Sequence, residues 1–354
     1  MPEQVSKTFL TVEGVTIRYE GGLQLFPEMN FSANKGELIG ILGPSGVGKS
    51  SLLRVIAGLQ AASTGNVKVD GRCVTKARPK DRGVSMLFQD PVIYEHMSVF
   101  ENIAFPLYCQ NNSLNVINES VHKIAKLLEI SELLTVSPKR LSGGERQRLA
   151  LARVFASNSR CALLDEPVKA AFEPAMRAAI RRHIRDLHLV RGGVTVIVSH
   201  EHQEIVEICD RLLFIFPDGS YCISPEEAIA HPPNESVARF MDIGNIVSAQ
   251  LDQETECLIL DSGMRLKLST PVGQKNIWND NHKHIWYIPP NALTAKKGIT
   301  FHIETLAWTA IGPIVTLCSK STNSIIKLKM SGSMEMKYKA IEIFVDGRKI
   351  KKIG

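Results

Sequence analysis

No stretch of the 354-residue sequence approaches the roughly 20 consecutive apolar residues that a membrane-spanning helix requires, so the chain is not expected to cross a bilayer by itself. A secretory leader is not expected either. Met1 to Leu10 carries Glu3, Gln4 and Lys7 where a signal sequence needs an unbroken apolar core, and export is therefore not expected. The cysteines Cys73, Cys109, Cys161, Cys209, Cys222, Cys257 and Cys318 are scattered with no CxxC spacing, which argues against a zinc site or disulfide frame and suits reduced thiols in cytosol. Internal repeats and low-complexity tracts are absent. The first part of the chain also lacks any charge imbalance. Up to Gly244 it holds 27 Lys and Arg against 27 Asp and Glu, whereas from Asn245 onward 15 face 9, so the whole net charge of +6 belongs to the tail. The tail also holds all three tryptophans, Trp278, Trp286 and Trp308. With an ordinary apolar fraction of 44% and charged fraction of 22%, the chain reads as two soluble domains with a boundary near residues 241 to 246. The tail's charges are dispersed, as on a solvated β surface, and no nucleic-acid partner is expected.

Short apolar runs at Leu38–Leu42, Ala162–Leu164 and Val194–Val198 alternate with helical patterns, which predicts a largely parallel sheet covered by helices on both faces. Between about Glu95 and Ala156 the strand signal gives way to helical spacing at Val121, Ile124, Ala125, Leu127 and Leu128, so a helical insertion is expected there. Ser224-Pro225-Glu226-Glu227 opens a short helix with serine as its cap. Beyond Asn245 the period becomes two. Cys257–Leu260 and Met264–Leu268 flank Asp261-Ser262-Gly263 as a hairpin, and Ile341–Val345 and Arg348–Ile350 flank Asp346-Gly347 as a second one. Several short strands in the tail predict a small antiparallel barrel or sandwich.

Gly43-Pro44-Ser45-Gly46-Val47-Gly48-Lys49-Ser50 follows the Leu38–Leu42 strand and precedes the helical run Ser51–Leu59, the context that a phosphate-binding GxxxxGK[ST] loop requires. Glycines let backbone N–H groups wrap a phosphate, Lys49 reaches the β and γ phosphates, and the Ser50 hydroxyl is suited to Mg²⁺. Arg160-Cys161-Ala162-Leu163-Leu164-Asp165-Glu166 is an apolar strand ending in two carboxylates: Asp165 suits the metal, and Glu166 suits polarising the water that attacks the γ phosphate. Leu141-Ser142-Gly143-Gly144-Glu145 opens a helix with Ser142 as cap, a second anion site best explained as completing a partner's nucleotide. Singly, each has an ordinary structural explanation: a glycine turn, an acidic strand end facing solvent, a helix cap.

Together, Leu-Ser-Gly-Gly-Glu lying between a phosphate loop and an Asp-Glu-Pro strand resembles the signature of ATP-binding cassette ATPases, over nearly all of residues 8 to 246. The resemblance implies an α/β fold, a P-loop nucleotide-binding core over 1–244 with a helical subdomain at about 95–156, followed over 245–354 by a small all-β accessory barrel of the OB or TOBE type. It implies ATP and Mg²⁺ as cofactors. Gly43, Pro44, Ser45, Gly46, Val47, Gly48, Lys49, Ser50 and Ser51 would bind nucleotide, as would Ser142, Gly143 and Gly144. Ser50, Gln89 and Asp165 would serve the metal, and Glu166, Gln89 and His200 the hydrolysis. Gln89, in Met86-Leu87-Phe88-Gln89-Asp90, falls at the family's Q-loop glutamine, and His200, after Val198-Ser199, at its switch histidine. Tyr19 is placed by spacing alone where the family stacks an aromatic on adenine, and a core or surface tyrosine suits the position equally.

Asp210-Arg211, Ser224–Ile229 and Phe240–Asn245 look like the end of importer ATPases that carry an accessory barrel and serve ions such as ferric iron, oxyanions, polyamines or sugars. The implied partners are a second cassette subunit, identical or paired, two membrane permease subunits and, indirectly, a periplasmic or extracellular solute-binding protein. The implied location is peripheral, on the cytoplasmic face of a bacterial cell membrane. Tyr94 to Phe105, with Ile93, Tyr94, Met97, Val99 and Phe100, would receive the permease, although these side chains could equally be core. One departure stands out: after Asp165-Glu166-Pro167 the family's Ser-Ala-Leu-Asp is replaced by the longer Val168-Lys169-Ala170-Ala171-Phe172-Glu173, which bears on coupling between two sites. The alternatives are a soluble cassette ATPase acting on nucleic acid or ribosomes, whose usual second cassette or long coiled coil is missing here, and a low-turnover regulatory cassette.

Overall fold

The computed structural model describes residues 8–18, 25–26, 28–157, 159–199, 205–242 and 244–252, and beyond them the strand segments named below. Its contacts divide into two compact units, Met1–Ile223 and Ser224–Gly354.

In the first unit a four-stranded sheet of order β2-β1-β4-β5 is built from β1 (Thr8–Thr16), β2 (Met29–Asn34), β4 (Thr64–Val69) and β5 (Arg72–Cys73), paired antiparallel throughout. A six-stranded sheet of order β10-β9-β3-β8-β7-β6 carries the rest. Its strands are β3 (Leu38–Leu42), β6 (Val84–Leu87), β7 (Cys161–Asp165), β8 (Val194–Val198), β9 (Arg211–Phe216) and β10 (Gly219–Ile223). All pairs in it are parallel except the β9–β10 edge. Every residue of β3, β7 and β8 is buried, which is why these strands are written as near-continuous apolar runs rather than alternating ones. One apolar cluster joins α1 (Lys49–Ala57), through Leu52, Leu53 and Ile56, to Leu10, Val12 and Phe31 of the antiparallel sheet and to Ile39, Ile41 and Val196 of the parallel one.

Between β6 and β7 the described residues form no strand. They form α2 (Val99–Tyr108), α3 (Leu114–Leu127) and α4 (Gly143–Ala156), which pack on one another. Helix α2 begins with a capping box: Ser98 caps the Glu101 amide while the Glu101 carboxylate accepts from the Ser98 amide at 2.6 Å. The long helix α5 (Pro174–Arg191) then leads into β8, with His188 at its end set 3.0 Å from the Gly36 carbonyl and 2.9 Å from the Thr195 hydroxyl. Asp210 accepts the Leu38 amide at 2.8 Å and fixes the start of β3.

The second unit starts at the predicted helix Pro225–Ala230, whose Ser224 cap accepts from the Glu227 amide at 3.1 Å. A further helix, Glu235–Met241, belongs to the same unit, so the compact division lies ahead of the composition change at Gly244. The physical reason is local. The Tyr287 hydroxyl donates to the Ile229 carbonyl, and Gly244 leaves room that a Cβ would lose against the Tyr287 ring, 2.2 Å away. A seven-stranded sheet runs in the order β15-β19-β13-β12-β11-β14-β20, and a three-stranded one in the order β16-β17-β18. The seven are β11 (Asn245–Asp252), β12 (Cys257–Leu260), β13 (Arg265–Thr270), β14 (His284–Ile288), β15 (Leu293–Lys297), β19 (Ile341–Asp346) and β20 (Lys351–Lys352). The three are β16 (Phe301–Thr309), β17 (Gly312–Ser319) and β18 (Ile325–Lys329).

The expected pairing of β12 with β13 is present, with Leu258 opposite Leu266. The return strand of the second expected hairpin, Arg348–Ile350, lies outside the described residues; β19 is flanked by β15 and, in parallel, by β13, while β20 pairs with β14. Strands thus border β19 on both sides, and the next described strand, β20, has its partner elsewhere. The parallel β13–β19 pair also makes the tail mixed rather than purely antiparallel.

Candidate functional site

The loop after β3, the Gln89 segment after β6, the carboxylates ending β7 and Ser199 after β8 all lie at the carboxyl ends of neighbouring parallel strands. This is the edge where open α/β sheets bind ligands. Gly43 has φ 150°, and a Cβ there would sit 2.2 Å from the Ile215 carbonyl oxygen of β9, so only glycine lets the loop leave the sheet at this point. Gly48, φ 97°, caps α1 without any side-chain hydrogen bond, which leaves the first amides of α1 turned toward the loop. Pro44, Ser45 and Gly46 are exposed, Val47 and Lys49 buried, and Ser50 and Ser51 half-buried. Beside the loop lies a cavity of about 450 Å³ lined by Leu25, Phe26, Pro44–Val47 and Pro217.

Lys49 is 5% exposed, and its ammonium donates to the Gly43 and Pro44 carbonyls, 2.7 Å to each. Burial pushes its pKa below the usual lysine value, while Glu166 and Asp165 pull it back up. Asp165, 2% exposed, accepts from the Ser50 hydroxyl at 2.8 Å. Gln89 is exposed and donates to the Glu166 carboxylate at 2.9 Å. Glu166 has φ 48°, and its amide donates to the Val198 carbonyl at 2.9 Å. The predicted loop, glutamine and carboxylate residues are therefore brought together: Ser50 with Asp165, and Gln89 with Glu166. Tyr19 and His200 lie outside the described residues.

The Ser142 turn opens α4 as expected, and Ser142 and Gly143 are exposed. Two of its amides are already used, because the Glu145 carboxylate accepts from the Ser142 amide at 2.8 Å and Ser142 Oγ caps the Glu145 amide. Hydrogen bonds from the Ser142 hydroxyl and amide hold the Glu145 carboxyl below the usual carboxylate range. Gly144 is buried against Met176 of α5, and the Phe172 ring passes over Gly143, so the Val168–Glu173 segment lies along the start of α4. Glu173 is exposed and caps α5 without a side-chain hydrogen bond.

Two residues of the site region are missed by sequence reasoning. Gln147, 3% exposed, donates to the Pro167 carbonyl at 2.8 Å and ties α4 to the segment after Glu166. Its spacing from the buried Gly144 and Leu151 put it on the inner helix face, which was the available signal. Arg153 stacks its guanidinium 4.2 Å from the Tyr94 ring centroid and donates to the Val92 carbonyl. Both partners border a groove of about 350 Å³ that Phe88, Pro106 and Ala150 also line. Of the expected docking side chains, Val99 is core, whereas Ile93, Tyr94, Met97 and Phe100 are half-buried.

The family described as "ABC transporter" matches residues 26–169. The chain is 31% identical over 307 residues to the sn-glycerol-3-phosphate import ATP-binding protein UgpC of Yersinia enterocolitica, covering 84% of each chain. It is 37% identical over 245 residues to the sulfate/thiosulfate import ATP-binding protein CysA of Bacillus cereus, covering 67% of each. Among solved structures, an ATP-binding cassette of an ABC transporter in its ADP conformation matches 67% of this chain and 99% of its own, at 25% identity and a TM-score of 0.58. With the phosphate loop and carboxylates set at the carboxyl ends of the parallel strands and the signature turn opening α4, the chain belongs to the ATPase subunits of ABC transporters.

Proposed function

We propose that this ATPase energises an importer, that it hydrolyses ATP with Glu166, and that two such subunits enclose two nucleotides. The observation that carries the reading is the pair of hydrogen bonds at the sheet edge, Ser50 to Asp165 at 2.8 Å and Gln89 to Glu166 at 2.9 Å. They set two adjacent carboxylates to different tasks. Ser50 and Asp165 present hard oxygens a hydrogen bond apart, a donor set that fits Mg²⁺, and Gln89 borders it through Glu166. Mg²⁺ bound there would neutralise charge on the phosphates. Lys49 and the amides following Gly43 bind the phosphate chain, and Glu166 holds and polarises water, with Gln89 positioning its carboxylate and His200 assigned to the γ phosphate.

The exposed Ser142 and Gly143 of one subunit complete the nucleotide held on the loop of another. ATP touching both subunits favours their closed pairing, and hydrolysis removes that preference. The groove beside Tyr94 receives a permease helix, which supports a peripheral position on the cytoplasmic membrane face. Since the relatives import sn-glycerol-3-phosphate and sulfate or thiosulfate, a small oxyanionic solute is the favoured cargo. The test is ATPase turnover of wild type and Glu166→Gln with and without Mg²⁺. A fall of about 10²–10⁴-fold with retained ATP binding is expected, and equal rates would contradict the role given to Glu166.

A further inference from the structure

At the amino-terminal ends of β3, β7 and β8, across the sheet from the phosphate loop, lies a cavity of about 620 Å³. Its volume is in the range of small-ligand sites, about 300–1,000 Å³. One wall comes from α2 and α3, the other from the ends of α4 and α5 and the turns before the strands. Leu107, Ile124, Leu127, Phe155, Leu187 and Val190 give it an apolar body. Among the described residues its charged lining is of one sign only: Lys35, Lys123, Arg160 and Arg191, with no carboxylate. Arg160 is engaged with Asp70 at 2.9 Å. Lys35 and Lys123 are exposed at the rim.

Arg191 is the informative member. Its guanidinium lies 5.5 Å from the Phe155 ring centroid and reaches the Ser159 hydroxyl only at 3.5 Å. Nε and Nη1 are buried and have no hydrogen-bond partner among the described residues. Burial pushes its pKa down, yet a guanidinium does not give up its proton in a protein, so the charge and its donors stay and require an acceptor. Leaving a buried donor unmet costs about 1–3 kcal/mol, more when charged.

We propose that this cavity binds a small amphipathic anion, its phosphate or carboxylate head on Arg191 with Lys35 and Lys123 at the rim, and its short apolar body against Phe155, Leu127 and Leu187. Such a ligand touches both the helical segment and the strand core without entering the phosphate loop. It is therefore placed to bias how the two are held, in parallel with ATP and not in competition with it.

The experiment is isothermal titration calorimetry of the full chain with hexyl phosphate, hexanoate and inorganic phosphate, each in the presence of a saturating non-hydrolysable ATP analogue. One saturable site is expected for hexyl phosphate or hexanoate. Inorganic phosphate, lacking the apolar body, should bind at least about tenfold more weakly. Arg191→Gln should weaken binding about ten- to a hundredfold. Lys35→Ala with Lys123→Ala alters only exposed side chains and keeps the fold, and should weaken it several-fold. The proposal is overturned if neither amphiphile saturates, in which case water alone serves Arg191. It is equally overturned if the double lysine variant binds undiminished, if inorganic phosphate binds as well as hexyl phosphate, or if the ATP analogue displaces the ligand.

Discussion

Glu166 offers a test in which stability changes while activity stays at background. With φ at 48° it occupies the left-handed region, where a residue carrying a Cβ pays about 1–2 kcal/mol. The amide is held there by the Val198 carbonyl at 2.9 Å, and the side chain makes the Gln89 contact at 2.9 Å. Glu166→Ala and Glu166→Gly both delete the carboxylate and that contact, so these losses cancel when the two variants are compared. What remains is one methyl group. At an ordinary backbone position glycine is the less stable of the pair by about 0.5–1 kcal/mol, because it has more freedom to lose. Here the relieved left-handed strain exceeds that, leaving the glycine variant more stable by about 0.5–1 kcal/mol. In urea, with a slope of about 2–3 kcal/mol/M, the transition carrying the Met1–Ile223 unit should lie a few tenths molar higher for Gly than for Ala. Both variants should show only background ATPase. An Ala midpoint at or above the Gly midpoint would refute the idea that the chain holds this backbone in a strained conformation to present the carboxylate.

Gly43→Ala should cost about 2–4 kcal/mol, because its Cβ would sit 2.2 Å from a backbone oxygen of β9, and nucleotide binding should fall with it; thermal unfolding and ATP titration check both. His183 of α5 is 1% exposed, its ring nitrogens lack hydrogen-bond partners among the described residues, and Glu129 stands 3.7 Å away. Burial holds its pKa below 6.5, so the unfolded chain takes up the proton first and stability falls as pH drops below about 6.5. His183→Leu should flatten that decline by up to about 1.4 kcal/mol per pH unit, measured by urea titrations between about pH 7 and 5, and an unchanged slope would clear His183 of the effect. Val92, 60% exposed beside the Tyr94 groove, tests the docking surface: Val92→Glu should leave the isolated subunit's ATPase within about twofold while abolishing co-purification with permease subunits.

The elements legible in the sequence are those whose causes are local. β3, its glycine loop and α1 follow one another within twenty residues, and the serine caps at 142 and 224 announce their helices. The capping glutamates Glu101 and Glu145 follow the same rule, three residues after a serine. What stayed hidden depends on partners far along the chain. Gln89 meets Glu166 across 77 positions, Gln147 meets Pro167 across 20, and Arg153 meets Val92 across 61. The neighbours of β19 are of the same kind, since strands from elsewhere in the chain border it on both sides. The boundary is of this kind too: the helix Pro225–Ala230, which looks like part of the end of the first unit, is held by Tyr287, a residue no local pattern connects to Ile229.

The strand order explains how two carboxylates adjacent in sequence serve different neighbours. Along the chain the site segments arrive after β3, β6, β7 and β8, but in the sheet the order is β3, β8, β7, β6. Asp165 ends β7, so β8 stands between it and the phosphate loop, a span of about 10 Å at two strand spacings. Ser50 closes that gap from the first turn of α1, and Asp165 accepts from it toward the β3 side. The next residue must then reach the other way, toward Gln89 after β6. An extended continuation of β7 would carry the chain on past the sheet edge. The positive φ at Glu166 turns it instead, with the amide taken by Val198 of β8 while the carboxylate reaches the β6 side. The backbone strain is thus the means by which one strand end faces both Ser50 on its β3 flank and Gln89 on its β6 flank.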